Sequence, residues 1–81
     1  MGKHEKLLAA ILAGKGDSNI AFKDLRTLLL GLGFTERVKG SHHIYFKPGV
    51  EERINLQRDG NKAKEYQVRQ VRMVLLKYEL R

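Results

Sequence analysis

The sequence predicts an α+β fold in the order α-α-β-β-β-α, with helices covering one face of a three-stranded antiparallel sheet. Three observations predict it. Apolar residues recur at helical spacing near both ends of the chain. Between Phe34 and Gln57 the period drops to two. Gly and Pro punctuate that stretch at short intervals, which makes its strands successive hairpins. A sheet with one face under helices is the simplest way to bury all these stripes. The length of 81 residues sets the whole chain as one domain with a small core.

From Lys3 to Ala13, Leu7, Leu8, Ile11 and Leu12 share one helical face, and Gly14 and Gly16 end the helix. Asp17-Ser18-Asn19 is a polar turn. A second helix runs from about Phe22 to Leu32, with Phe22, Leu25, Leu28, Leu29 and Leu32 in one stripe. Asp24 suits its first turn, and Gly33 suits the position just past its end. Phe34 to Lys39 reads as a strand, with Phe34, Glu36 and Val38 on one face and Thr35, Arg37 and Lys39 on the other. Gly40-Ser41 makes a tight turn into a second strand, His42 to Phe46. Pro48-Gly49 is the next turn, and Glu51 to Gln57 is the third strand. Arg58 to Lys64 reads as a polar loop centred on Asp59-Gly60-Asn61. The last helix runs from about Tyr66 to Glu79. Val68, Val71, Leu75 and Tyr78 form its inner stripe, with Val74 beside it, leaving Arg69, Arg72 and Lys77 for the outer surface.

Composition narrows the function. The chain has no Cys, which removes disulfides, cysteine-bound zinc and a thiol nucleophile, and fits a reducing compartment. The longest apolar run, Leu7 to Ala13, falls far short of the roughly 20 residues of a spanning helix. It also makes a poor signal peptide, because losing it would remove most of a helix, so a cytoplasmic protein is expected. The net charge of +7 points to a polyanionic partner, with nucleic acid ahead of an acidic protein and an anionic membrane last. No P-loop, dinucleotide fingerprint, nucleophile elbow or zinc-protease motif is present, and no cofactor is implied. Glu51 and Glu52 are strand neighbours that point apart, so they form no paired-carboxylate site.

Two features could carry chemistry. The first is the run Gly40-Ser41-His42-His43. A histidine beside a turn on a basic protein suits a general base that takes the proton of a ribose 2′-OH. The bland reading is two histidines filling a half-buried strand. Alternation sends His42 and His43 to opposite faces, His42 with Ile44 and Phe46, His43 with Tyr45 and Lys47. If Ile44 and Phe46 face the core, His42 must sit at the sheet margin to reach a substrate. His4, His42 and His43 match no metal-ligand spacing, so no metal is expected. The second feature is the basic segment from Asn61 to Arg81, with Lys62, Lys64, Arg69, Arg72, Lys77 and Arg81 against Glu65 and Glu79. Lys62 and Lys64 precede a helix N-terminus, which suits a phosphate. The alternative there is a solvated helix face.

The segments Leu32-Gly33-Phe34, Gly40-Ser41-His42-His43-Ile44-Tyr45, Ile54-Asn55-Leu56-Gln57 and Tyr66-Gln67-Val68-Arg69-Gln70-Val71-Arg72, taken in order, resemble the HicA toxin family of bacterial toxin–antitoxin pairs. The likeness covers about Phe22 to Leu80. On it, residues 22–81 are the family core and residues 1–16 an added N-terminal helix. The resemblance implies a fold like the double-stranded-RNA-binding domain. It also implies an mRNA interferase, an endoribonuclease that cuts mRNA until a HicB-type antitoxin binds it. The catalytic histidine of the family falls on His42, with Gly40 and Ser41 completing its motif. Lys62, Lys64, Arg69 and Arg72 would hold the RNA backbone. Chemistry through the 2′-OH would need no metal. Two other functions are carried alongside: a non-catalytic RNA-binding module of the same fold, whose affinity would survive loss of His42, and an adaptor whose basic face docks an acidic protein.

Overall fold

The computed structural model describes residues 2–80. Helix α1 (Lys3–Ala13) is followed by a short 3-10 turn, Asp17–Asn19, and by α2 (Phe22–Gly31). Strands β1 (Thr35–Lys39), β2 (His42–Lys47) and β3 (Val50–Leu56) follow, and α3 (Glu65–Lys77) ends the fold. The sheet is antiparallel in the order β1-β2-β3, so the predicted α-α-β-β-β-α order holds. No helix among the described residues is long and apolar enough to cross a membrane.

The core lies between the helices and one sheet face. Ile11 of α1, Phe22, Leu25, Leu28 and Leu29 of α2, and Val68, Val71, Val74 and Leu75 of α3 are buried there. Phe34, Tyr45, Ile54 and Leu56 bury against them from the sheet side. Gly33 makes the turn from helix to sheet. Its φ of 96° closes α2, with the Gly33 N–H donating to the Leu30 carbonyl at 3.1 Å and the Phe34 N–H to the Leu29 carbonyl at 3.1 Å. That closure drives Phe34 into the core.

Two expectations need correction. Arg58 to Lys64 is not a plain polar loop. It forms a miniature hairpin of β4 (Arg58–Asp59) and β5 (Lys62–Ala63). The hairpin is stitched to the start of α2: the Phe22 N–H donates to the Asn61 carbonyl at 2.9 Å, and the Ala63 N–H to the Ile20 carbonyl at 2.9 Å. Burial of Ala63 and pairing of its backbone outweigh the polar composition that suggested a loop.

The second correction concerns Arg72, which does not project from the outer surface. Its position on α3 turns it toward α1. There its Nε donates to the Ile11 carbonyl at 2.6 Å, and its Nη2 pairs with Asp17. A cation at the C-terminal end of α1 offsets the partial negative charge of the last carbonyls, and the Asp17 carboxylate neutralises it where water is scarce. Arg72 therefore clamps the first helix to the last.

Candidate functional site

Gly40 takes a φ of 61°, which lets Gly40-Ser41 close the β1–β2 hairpin on the pair Lys39 and His42. On its other side β2 pairs with β3, with Ile44 opposite Asn55 and His43 opposite Leu56. His42, Ile44, Asn55 and Gln57 therefore share a face. The core face is the one with Tyr45, which is fully buried, so Ile44 and Phe46 do not face the core. His42 is exposed on the opposite, open face of the sheet. It needs no marginal position to meet a substrate.

A polar cluster forms around it. The His42 Nδ1 lies 3.2 Å from the Asn55 Oδ1. A carbonyl oxygen can only accept, so Nδ1 is the donor and the lone pair of the neutral ring sits on Nε2. The Gln57 side-chain amide, 3.5 Å from Nε2, also donates to the Ser41 hydroxyl oxygen at 3.3 Å. An exposed imidazole whose Nε2 lone pair meets only this long contact can accept a proton from a bound hydroxyl.

The same face is basic. Arg37 stands opposite Ile44, and Lys39 opposite His42. Arg53 extends over the Phe46 ring, its guanidinium carbon 5.5 Å from the centroid. All three cations are exposed, while Ile44 and Phe46 are half-buried between them. Glu51 is the acidic residue of this face, at the end away from His42. Arg37, Lys39 and Arg53 are interface candidates that sequence reasoning missed. Strand alternation put Arg37 and Lys39 opposite Phe34, but only the β1–β2 register puts them beside His42.

The C-terminal basic residues are arranged differently. Lys62 is exposed on β5, and Lys64 is half-buried at the N-cap of α3. Arg69 is exposed and pairs with Glu65 at 3.2 Å, and Lys77 pairs with Glu52 at 2.8 Å. Arg72 is held by Ile11 and Asp17. Arg81 lies outside the described residues. Among the described residues, no hydrogen bond or ion pair joins Lys62, Lys64, Arg69 or Arg72 to the His42 cluster. Gly40 and Ser41 are brought to it by the hairpin.

His43 faces inward. Its ring meets the Phe22 ring edge-on at 4.9 Å between centroids, and its Nδ1 lies 3.3 Å from the Glu36 Oε2. Glu36 also accepts two bonds from Arg26, at 2.7 and 2.9 Å, and one from the Tyr45 hydroxyl at 2.6 Å. The Arg26 guanidinium, foremost, holds the Glu36 carboxyl down to about 2, against the opposing effect of burial. Burial first, then donation to Glu36, pushes the Tyr45 phenol up. Because the folded-state value of Glu36 is depressed, its stabilisation is complete above the ordinary carboxylate range and is lost as pH falls toward about 2. Glu36→Gln should therefore cost most near neutrality, and its deficit against wild type should shrink below about pH 4. Denaturant unfolding of both proteins across that range checks it. A deficit independent of pH would detach Glu36 from the acid limb.

The model of the family described as the HicA toxin of bacterial toxin–antitoxin pairs matches residues 22–78, well over half of the chain. The chain belongs to the HicA toxin family. No curated protein and no solved structure matches it. Membership makes the chain the toxin of a toxin–antitoxin pair and implies an antitoxin partner. The matched segment begins at the first residue of α2, so α1 and the Asp17–Asn19 turn stand outside the HicA pattern.

Proposed function

We propose that this HicA-family toxin is an mRNA interferase, a cytoplasmic endoribonuclease silenced by a HicB-type antitoxin, and that His42 is its catalytic residue. The observation that carries this is an exposed imidazole, its Nδ1 proton engaged by Asn55 and its Nε2 met only by the long Gln57 contact, on a sheet face lined with Arg37, Lys39 and Arg53. The Nε2 lone pair takes the proton of a ribose 2′-OH. The resulting alkoxide attacks the adjacent phosphorus, and the bond to the 5′-oxygen breaks. That oxygen receives a proton from the His42 imidazolium or from water. The products are a 2′,3′-cyclic phosphate and a 5′-hydroxyl. Every proton and electron pair is accounted for without a metal ion. The cations beside His42 hold the phosphates and offset the charge on the pentacoordinate phosphorus.

Arg37, Lys39 and Arg53 form the near track for the RNA backbone. Lys62 and Lys64 extend it, Arg69 adds a peripheral charge, and Gly40 and Ser41 let the backbone approach the hairpin turn. Arg72 is left out of this track because its guanidinium is already used within the fold. Replacing Arg37 and Lys39 together by alanine should lower the log–log salt slope of RNA binding by roughly 0.7–0.9 for each phosphate no longer neutralised. Lys62→Ala with Lys64→Ala should lower it by no more than that. Fluorescence anisotropy with labelled RNA across a salt series measures both. An unchanged slope in the Arg37/Lys39 variant would remove the open face from the interface.

Induction in a bacterial host tests the function directly. Growth arrest with shortened mRNA half-lives, relieved by co-expressed antitoxin, is expected. RNA binding without cleavage by wild type would favour the non-catalytic module. No RNA binding at physiological salt would favour the adaptor.

A further inference from the structure

We infer that Asn55 is a positioning residue that selects the tautomer of His42, an inference that rests on the reading of His42 as the proton acceptor. A free imidazole in water favours the proton on Nε2, which would leave the lone pair on Nδ1. In this fold Nδ1 lies 3.2 Å from the Asn55 Oδ1, an atom that can only accept. Of the two neutral forms, the contact stabilises the one with the proton on Nδ1, and so moves the lone pair to Nε2.

The position of Asn55 suits it to this task. It is opposite Ile44 in the β2–β3 register, so it is held within a strand rather than carried on a loop. It projects to the same face as His42, two residue pairs further along the ladder. Gln57 has a different part. Its amide lies 3.5 Å from Nε2 and also bonds the Ser41 hydroxyl oxygen at 3.3 Å. That long contact marks where a substrate hydroxyl would sit, and Gln57 can turn away to Ser41 when one binds. Asn55 thus sets which nitrogen is basic, whereas Gln57 occupies the basic nitrogen until substrate arrives.

The test reads the ring nitrogens of His42 by nitrogen NMR above the pH at which the ring is protonated, with His42→Ala identifying its signals. Wild type should show the proton on Nδ1. Asn55→Leu and Asn55→Val, both compatible with an exposed strand site, should move it to Nε2. Asn55→Asp keeps an acceptor and should keep the proton on Nδ1, as should Gln57→Ala. In the cleavage assay Asn55→Leu should lose roughly 10- to 100-fold in kcat, part of the worth of a general base, with KM little changed. Asn55→Asp should restore most of that loss. A wild-type ring protonated on Nε2, or a proton that stays on Nδ1 in both Asn55→Leu and Asn55→Val, would overturn the assignment. The nitrogen spectra give this answer with or without turnover, so failure of the nuclease reading would show in the cleavage assay alone.

Discussion

His42→Ala is expected to lower RNA cleavage by about two to four orders of magnitude, the usual worth of a general acid–base group. Toxicity on induction should vanish with it. The fold and the RNA affinity should survive nearly unchanged, because the imidazole is exposed and stands outside the buried core. His43→Ala gives the opposite pattern. It removes a ring packed on Phe22 and bonded to Glu36, so it should lower stability while leaving the chemical step largely intact. An RNA carrying a 2′-deoxy sugar at the cut site should bind and resist cleavage, since the attacking oxygen is missing. Cleavage, binding and thermal melting on the same preparations separate these outcomes. Full activity in folded His42→Ala would end the catalytic assignment. A large drop in melting temperature would instead place His42 among the packed residues.

The two histidines also show what the sequence could reveal about the site. Alternation alone established that they part to opposite faces. It could not say which face meets the helices, because Ile44 and Phe46 look as apolar as Tyr45 with its neighbours. The deciding contribution comes from other elements: Phe34 entering from the closure of α2, and Ile54 and Leu56 in register beside Tyr45. Asn55 and Gln57 were equally out of reach, since their meeting with His42 depends on strand pairing across a turn. The C-terminal lysines and arginines drew attention because they are dense in sequence. The open-face cations are dispersed over two strands and are gathered only by register.

The helices were more legible. Their stripes are long, repeat over several turns and end at residues with a clear conformational reason, as at Gly33. The Arg58–Ala63 hairpin was not, because two-residue strands carry no period. Its existence depends on backbone bonds to Ile20 and Phe22, which belong to a distant stretch of chain. Arg72 was misplaced for a related reason: a charged residue flanking an apolar stripe reads as solvent-facing unless the partner helix and its Asp17 are known.

Ile11→Ala is expected to destabilise the protein by ~2–5 kcal/mol, as much as Leu25→Ala, although only Leu25 lies within the segment matched to the family. Both side chains are 0% exposed and belong to one apolar cluster. The Arg72 guanidinium reaches across from α3 to the Ile11 carbonyl, a bond that Ile11→Ala leaves in place, so the substitution isolates packing from the clamp. Were α1 an appendage, truncating Ile11 would cost a few tenths of a kcal/mol, as at most surface sites. A loss of the core size would remove much of the stability expected for so small a domain, whose total lies at about 5–15 kcal/mol. Urea unfolding of both variants, read by circular dichroism, compares them directly. Equal losses would mean that residues beyond the family pattern have become part of the folding unit. A loss below about 0.5 kcal/mol for Ile11→Ala, with Leu25→Ala at its full cost, would reduce α1 to a surface addition and leave the core to α2, the sheet and α3.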